Sequence, residues 1–161
     1  MSQRVTPFYR PGNYQPEGSV TYLMRRIMIA VATEVERELE PCGLTSAQWV
    51  PLFKLHQGAA RTAAELAREC HLDAGAMTRM LDRLEAKGFV RRVRSEADRR
   101  VINLELTPEG RETAAQIPGV LCQVQNAHLR GFSREEFDTL KSLLGRMLDN
   151  ATALQVEQGV A

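Results

Sequence analysis

The residues in this 161-residue chain best suited to chemistry are arginines, and the chemistry is recognition rather than bond-making. A guanidinium offers a planar fork of donors that matches a phosphate or the edge of a guanine. Arg79 and Arg83 stand four apart, which puts them on one face of a helix. Gly75, Ala76 and Thr78 lie beside them. Small residues allow close approach to a surface, and either Gly75 or Ala76 could touch a thymine methyl. A second group, Arg94, Arg99 and Arg100, brackets Ser95-Glu96-Ala97-Asp98. A narrow minor groove concentrates negative potential and draws in an inserted arginine. Arg99 is expected to enter or straddle such a groove, with Arg94 and Arg100 on the backbone. Asp98 is the odd member, because a lone carboxylate is repelled at a DNA surface. It is expected to brace Arg94 or Arg100. Thr62 opens a helix whose N-terminal amide can meet a phosphate. The same residues also fit a plainer reading, an amphipathic helix with a solvated charged face followed by a solvated turn.

The elements that must position these groups are legible nearby. Thr62 and Glu65 form a capping box for a helix over residues 63–70, with Ala64, Leu66 and Ala67 facing inward. His71-Leu72-Asp73 makes a turn, and Asp73 caps a second helix that runs to Lys87. Gly88 suits a left-handed stop. Met77, Leu81 and Leu84 recur at helical spacing and mark a buried face that Met80 widens. Residues 89–94 and 101–106 alternate as strands. Joined by the polar loop between them, they make a β-wing that carries Arg91, Arg92, Arg94, Arg99 and Arg100 against Glu96 and Asp98.

The segments Thr62-Ala-Ala-Glu-Leu-Ala, Leu81-Asp-Arg-Leu-Glu-Ala-Lys-Gly-Phe-Val, Asp98-Arg-Arg and Leu106-Thr-Pro-Glu-Gly together resemble the MarR family of bacterial transcription regulators. The resemblance spans roughly residues 19–154. It implies a fold that is mainly α with a small β-wing, a winged helix-turn-helix embedded in a helical dimerisation body. It implies a homodimer on double-stranded DNA, reading a pseudo-palindromic operator whose half-sites lie about 34–36 Å apart. Such regulators usually repress, and many release DNA when a small aromatic or phenolic ligand binds. The resemblance places that ligand between the dimer helices and the DNA module, where Arg25 or Arg26, Met28, Trp49, Phe53 and His56 are the matching candidates. A planar acid wants an aromatic wall and one cation. Trp49 and Phe53 also read as core residues four apart on a helix.

Length and composition agree with one soluble globular domain: 43% of residues are hydrophobic and 25% charged. The domain divides into an arm at 1–18, a helical body at 19–60 and 107–156, and the winged module at 61–106. Net charge is only +1, but residues 61–100 hold ten basic against seven acidic side chains. A positive module on a slightly acidic remainder suits local phosphate contact. Residues 1–18 show no signal-peptide layout, and no stretch is apolar enough to span a membrane, so a cytoplasmic protein is expected. Phe8, Tyr9 and Tyr14 suggest either an arm that packs on the body or a partner, or a mobile tail with stray aromatics.

Ser19 can cap a helix to about residue 40, with Val20, Leu23, Ile27, Val31 and Val35 or Leu39 on one stripe. Thr45 and Gln48 read as a capping box for a helix through His56, bent at Pro51. Thr107-Pro108 starts a helix to about Arg130, which Pro118-Gly119 either bends or breaks. Ser133 and Glu136 cap a last helix with Phe137, Leu140, Leu144, Met147, Ala151 and Leu154 as its stripe. Leu143 and Leu148 widen that stripe beyond what one small domain needs. Two rival functions share the scaffold: a redox sensor using Cys42, and a winged-helix protein-interaction module without DNA binding. Cys70-His71 alone makes no zinc site. With no glycine-rich phosphate loop, nucleophile elbow or HExxH motif, neither an enzyme nor a cofactor is expected.

Overall fold

Among the described residues, a proline-rich arm leads into six α-helices and one hairpin. The computed structural model describes residues 7–157, so the first six residues of the expected arm lie outside it. The chain divides into two units, Met1–Val124 and Gln125–Ala161. In the first, 3-10 turns at Pro11–Asn13 and Pro16–Gly18 lead to α1 (Val20–Leu39), whose cap is the Ser19 hydroxyl accepting the Tyr22 N–H. The Tyr9 hydroxyl accepts the Val20 N–H at 3.0 Å, and its ring meets Tyr14 edge to face. The arm therefore packs on the start of α1 and satisfies a donor that the helix leaves open.

After α1, a 3-10 turn at Glu40–Cys42 and Gly43 at φ 71° reverse the chain. The next helix, α2 (Trp49–His56), starts later than the Thr45 signal suggests. Gln48 does reach back to the Thr45 N–H at 3.2 Å, but residues 45–48 form a turn rather than a helical one. Pro51 is consequently the third residue of α2, not an interior one. Its missing N–H is among those no helix can pair, so the expected bend has no cause.

The winged module follows. α3 (Ala63–Glu69) has a complete capping box: Thr62 Oγ1 accepts the Glu65 N–H, and the Glu65 carboxylate accepts the Thr62 N–H. Leu66 and Ala67 are buried, but Ala64 is exposed, contrary to the inward place expected for it. α4 (Ala74–Ala86) is capped by Asp73, and Gly88 at φ 76° stops it. Strands β1 (Val90–Arg94) and β2 (Ile102–Leu106) pair antiparallel, Val90 opposite Leu106 and Arg94 opposite Ile102. A further edge contact was not visible in the sequence: the Leu104 N–H donates to the Arg61 carbonyl at 2.8 Å, and Thr62 bridges Asn103.

α5 (Pro108–His128) passes through Pro118 as one helix, and the Thr107 hydroxyl accepts the Gly110 N–H at its start. One core joins these elements, with Leu39, Leu52, Leu66, Met77, Leu84, Val90, Leu106 and Ile117 among its members. The N-terminal part of α1 contributes nothing to it: Val20, Leu23 and Ile27 are exposed, Ile27 by 56% and neighbouring Met28 by 65%. In the second unit, α6 (Arg134–Glu157) carries the expected Ser133–Glu136 capping box and has no buried residue. Its apolar stripe is half-buried at Phe137 and Leu140 and exposed from Leu144 to Leu154, with Leu148 beside it exposed by 68%.

Two predictions follow from this packing. A Cβ on Gly110 would sit 1.9 Å from the Phe89 carbonyl oxygen, a backbone atom that cannot swing away. Gly110→Ala is expected to cost about 3 kcal/mol, read as a lowered urea midpoint. The second concerns acid. Hydrogen bonds from the Arg61 and Thr62 amides hold the Glu65 carboxyl below its ordinary 4.5, and the Ala76 amide does the same for Asp73 below 3.8. At acid pH the unfolded chain then binds more protons than the folded one. The stability these caps add is complete above the unfolded values and is lost as pH falls through the lower folded ones. Thermal melts from pH 6 down to about pH 3 should show a shallower loss for Glu65→Gln than for the native chain.

Candidate nucleic-acid interface

Burial sets which side of α4 faces out. Met77, Met80, Leu81 and Leu84 enter the core, so Gly75, Thr78, Arg79 and Arg83 are exposed and Ala76 is half-buried. The turn before α4 is sharpened by His71, the one non-glycine residue at positive φ (52°) among the described residues. The absence of a side chain at Gly75 has a use: a Cβ there would lie 3.4 Å from Arg79 Nη1 and 3.2 Å from Asp73 Oδ1. Arg79 thus lies back along the first turn of α4. The Thr78 hydroxyl donates to the Ala74 carbonyl at 2.8 Å, so its proton serves the helix. Thr62 is also engaged: the N–H that the sequence offers to a phosphate donates to the Glu65 carboxylate at 3.0 Å.

On the wing, two of the five arginines answer carboxylates within the protein. Arg91 pairs with Glu105, its neighbour across the strands, at 2.6 Å. Arg92 reaches Asp82 on α4 at 2.7 Å and Glu85 on the same helix. Asp82 first, then Glu85, holds the Arg92 guanidinium above its ordinary range. The outward charge of the hairpin is therefore smaller than a count of its arginines implies. Arg94, Arg99 and Arg100 are exposed, and like Arg79 and Arg83 they form no ion pair with any described residue. Asp98 braces neither Arg94 nor the Arg100 guanidinium. Its carboxylate accepts the Arg100 backbone N–H at 2.9 Å, and its own N–H donates to Ser95 Oγ. Short turns leave several amides without strand partners, and an aspartate is short enough to collect one. Asp98 and Ser95 thus shape the wing tip through its backbone.

The candidate ligand residues fall into separate places. Arg25 and Arg26 line an open concavity of about 350 Å³ on α1 with Tyr22, Ile29 and Ala30. Trp49 and Phe53 are half-buried against the core, and Phe53 stacks on the exposed His56. Met28, Trp49, Phe53 and His56 are not among the residues lining the α1 concavity. Of the cysteines, Cys42 donates its thiol to Gln116 at 3.3 Å, and burial pushes the Cys70 thiol up. A raised pKa works against a reactive thiolate at Cys70.

Two further ties were missed from sequence. Lys87 Nζ donates to the Gly43 carbonyl at 2.6 Å and to Gln48 at 2.8 Å, which joins the end of α4 to the turn before α2. The Arg92 bridge was missed as well. Its signal was present: Asp82 and Glu85 three apart on a helix, and an arginine two residues after Val90 on the strand that follows.

Solved structures similar to this one include transcription regulators. The MarR family profile matches residues 44–102. The solved structure of the transcriptional regulator PA3341 is 30% identical and superposes with a TM-score of 0.71, covering 84% of this chain and 99% of that one. The reduced form of MarR from E. coli is 29% identical at a TM-score of 0.72, covering 81% and 96%. A mutant of that protein complexed with operator DNA is 29% identical at 0.71, covering 80% and 93%. With the matched profile lying over the helix-turn-helix and wing, and with full-length relatives sharing the fold, the chain belongs to the MarR family of transcription regulators.

Proposed function

We propose that this protein is a homodimeric, sequence-selective DNA-binding regulator that acts as a repressor. The carrying observation is electrostatic. Arg91 and Arg92 are tied to carboxylates in ion pairs, whereas the exposed Arg79, which lies near Asp73 without pairing to it, Arg83 on α4 and Arg94, Arg99 and Arg100 on the wing form no ion pair with any described residue. Unpaired guanidiniums on an exposed helix face and a hairpin tip fit a polyanion with two grooves. In this reading Thr78, Arg79 and Arg83 meet the major groove, and Gly75 and Ala76 permit the approach. Arg99 reaches the minor groove while Arg94, Arg100 and Ser95 follow the backbone. Asp98 orients the tip, and Thr62 fixes the start of α3 near a phosphate. A second copy would cover the open apolar rows of α1 and α6 and present a second module to the other half-site. A structural relative described as the transcriptional repressor CouR bound to a 23-mer DNA duplex, 27% identical over 84% of this chain, supports repression.

Release by a small aromatic or phenolic ligand completes the proposal. Arg25 and Arg26 beside Tyr22 offer cations and an aromatic wall in the α1 concavity. A ligand there would act by favouring a dimer geometry in which both modules cannot reach their half-sites. Trp49, Phe53 and His56 on α2 offer an alternative aromatic wall, and Met28 stays exposed on α1.

Selection of duplexes from a random pool, followed by binding at several salt concentrations, tests the reading. Affinity should fall steeply with salt. Binding that ignores salt, or no binding, would favour the protein-interaction module instead. Arg79→Ala should relax base preference at its position, whereas Arg99→Ala should weaken all sequences alike and reduce the salt slope by about one. Planar aromatic carboxylates should release the selected duplex, and Arg26→Ala should raise the concentration needed. Release that is unchanged in Arg25→Ala and Arg26→Ala alike would move the ligand to the α2 side.

A further inference from the structure

Arg92 belongs to the wing by sequence and to α4 by its contacts. On β1 it shares a strand face with the buried Val90. Its backbone N–H donates to Glu85 Oε1 at 3.2 Å. Its guanidinium meets Glu85 Oε2 through Nη1 and Asp82 Oδ1 through Nη2, the latter at 2.7 Å. Asp82 and Glu85 are three apart, so one planar fork spans a step of the helix and constrains distance and tilt together.

Stability does not explain this arrangement. The Arg92 side chain remains 30% exposed and Asp82 58%, and ion pairs this wet add little to folding. Position does explain it. Asp82 follows Arg79 by three residues and adjoins Arg83, so without a partner its charge would oppose phosphate where those arginines face out. Lysine could neutralise one carboxylate but could not hold both in a plane.

We infer that Arg92 is a positioning residue: the Asp82–Arg92–Glu85 bridge locks the wing to α4, so that the helix arginines and the tip arginines engage a duplex as one rigid reader. The inference rests on the DNA-binding reading above. It requires the contribution of a wing-tip contact to depend on a residue that touches no DNA.

The test is a set of mutant cycles on the selected duplex, measured by fluorescence anisotropy with the full chain. Arg99→Ala is expected to cost about tenfold in affinity in the native background and less than about threefold in Arg92→Gln, because a loosened wing no longer delivers Arg99 to one place. The double change Asp82→Asn with Glu85→Gln removes the acceptors and leaves Arg92 intact. It should weaken binding and reduce the Arg99→Ala penalty in the same way. Thermal melts establish that each variant is folded, and the acceptor-side variant keeps the test decisive if Arg92→Gln does not fold. An equal Arg99→Ala penalty in all backgrounds overturns the inference. So does a gain in affinity from the acceptor-side change, which would mean that the freed Arg92 contacts phosphate itself. A native chain that binds no duplex overturns the DNA-binding reading instead.

Discussion

Burial of Met77, Met80, Leu81 and Leu84 fixes the rotation of α4 about its own axis, and every other feature of the interface depends on that angle. Each such side chain contributes about 1.5–3 kcal/mol when taken fully from water. Turning the helix by a quarter would expose several of them at once. The opposite face therefore has no freedom: Arg79 and Arg83 must project wherever the core is not. The caps act on the same element. Asp73 begins it, Gly88 ends it, and Lys87 ties its last turn to Gly43 and Gln48. The helix is held at both ends and along one side.

Charge pairing then decides which cations remain available. A basic hairpin is not a uniform positive patch. Arg91 lies opposite Glu105 in the register and closes on it, and Arg92 turns toward α4. The residues past the last strand pair, Arg99 and Arg100, have no carboxylate opposite them, and Asp98 is taken up by the turn's own backbone. Strand register thus sorts arginines of identical chemistry into internal and outward roles. The apolar rows of α1 and α6 pose the same kind of question about their own cover, which a second copy answers in the proposed dimer.

Much of this was legible because it depends on local rules. The capping box at Thr62 and Glu65, the Asp73 cap, the Gly88 stop and the hydrophobic spacing of α4 all act within a turn of helix, and the structure shows each of them. The less accurate expectations have a common cause. Thr45 is followed by a plausible Gln48, but the helix starts four residues later, so Pro51 falls where proline is harmless. Asp98 is expected to brace a guanidinium, and its carboxylate accepts the Arg100 backbone N–H instead. The Arg61 contact to Leu104 and the Arg92 bridge join segments distant in sequence, and composition carries no record of such distances. The aromatic and cationic ligand candidates follow from the resemblance and from their chemistry, and the chain sets Arg25 and Arg26 in a concavity that Phe53 and His56 do not line.

The meeting of Phe89 and Gly110 bears on how such a wing can diverge. The Phe89 carbonyl accepts the Thr107 N–H at 3.1 Å and fills the space where any other residue at 110 would carry a β-carbon. The root of the hairpin is thus joined main chain to main chain, with the Thr107 hydroxyl also donating to the Gly88 carbonyl at 2.6 Å. Evolutionary retuning of the wing is channelled to its far end, where length and composition can drift without disturbing the joint. A new target preference could arise by rewriting a few residues at the tip of an arm whose shoulder stays the same.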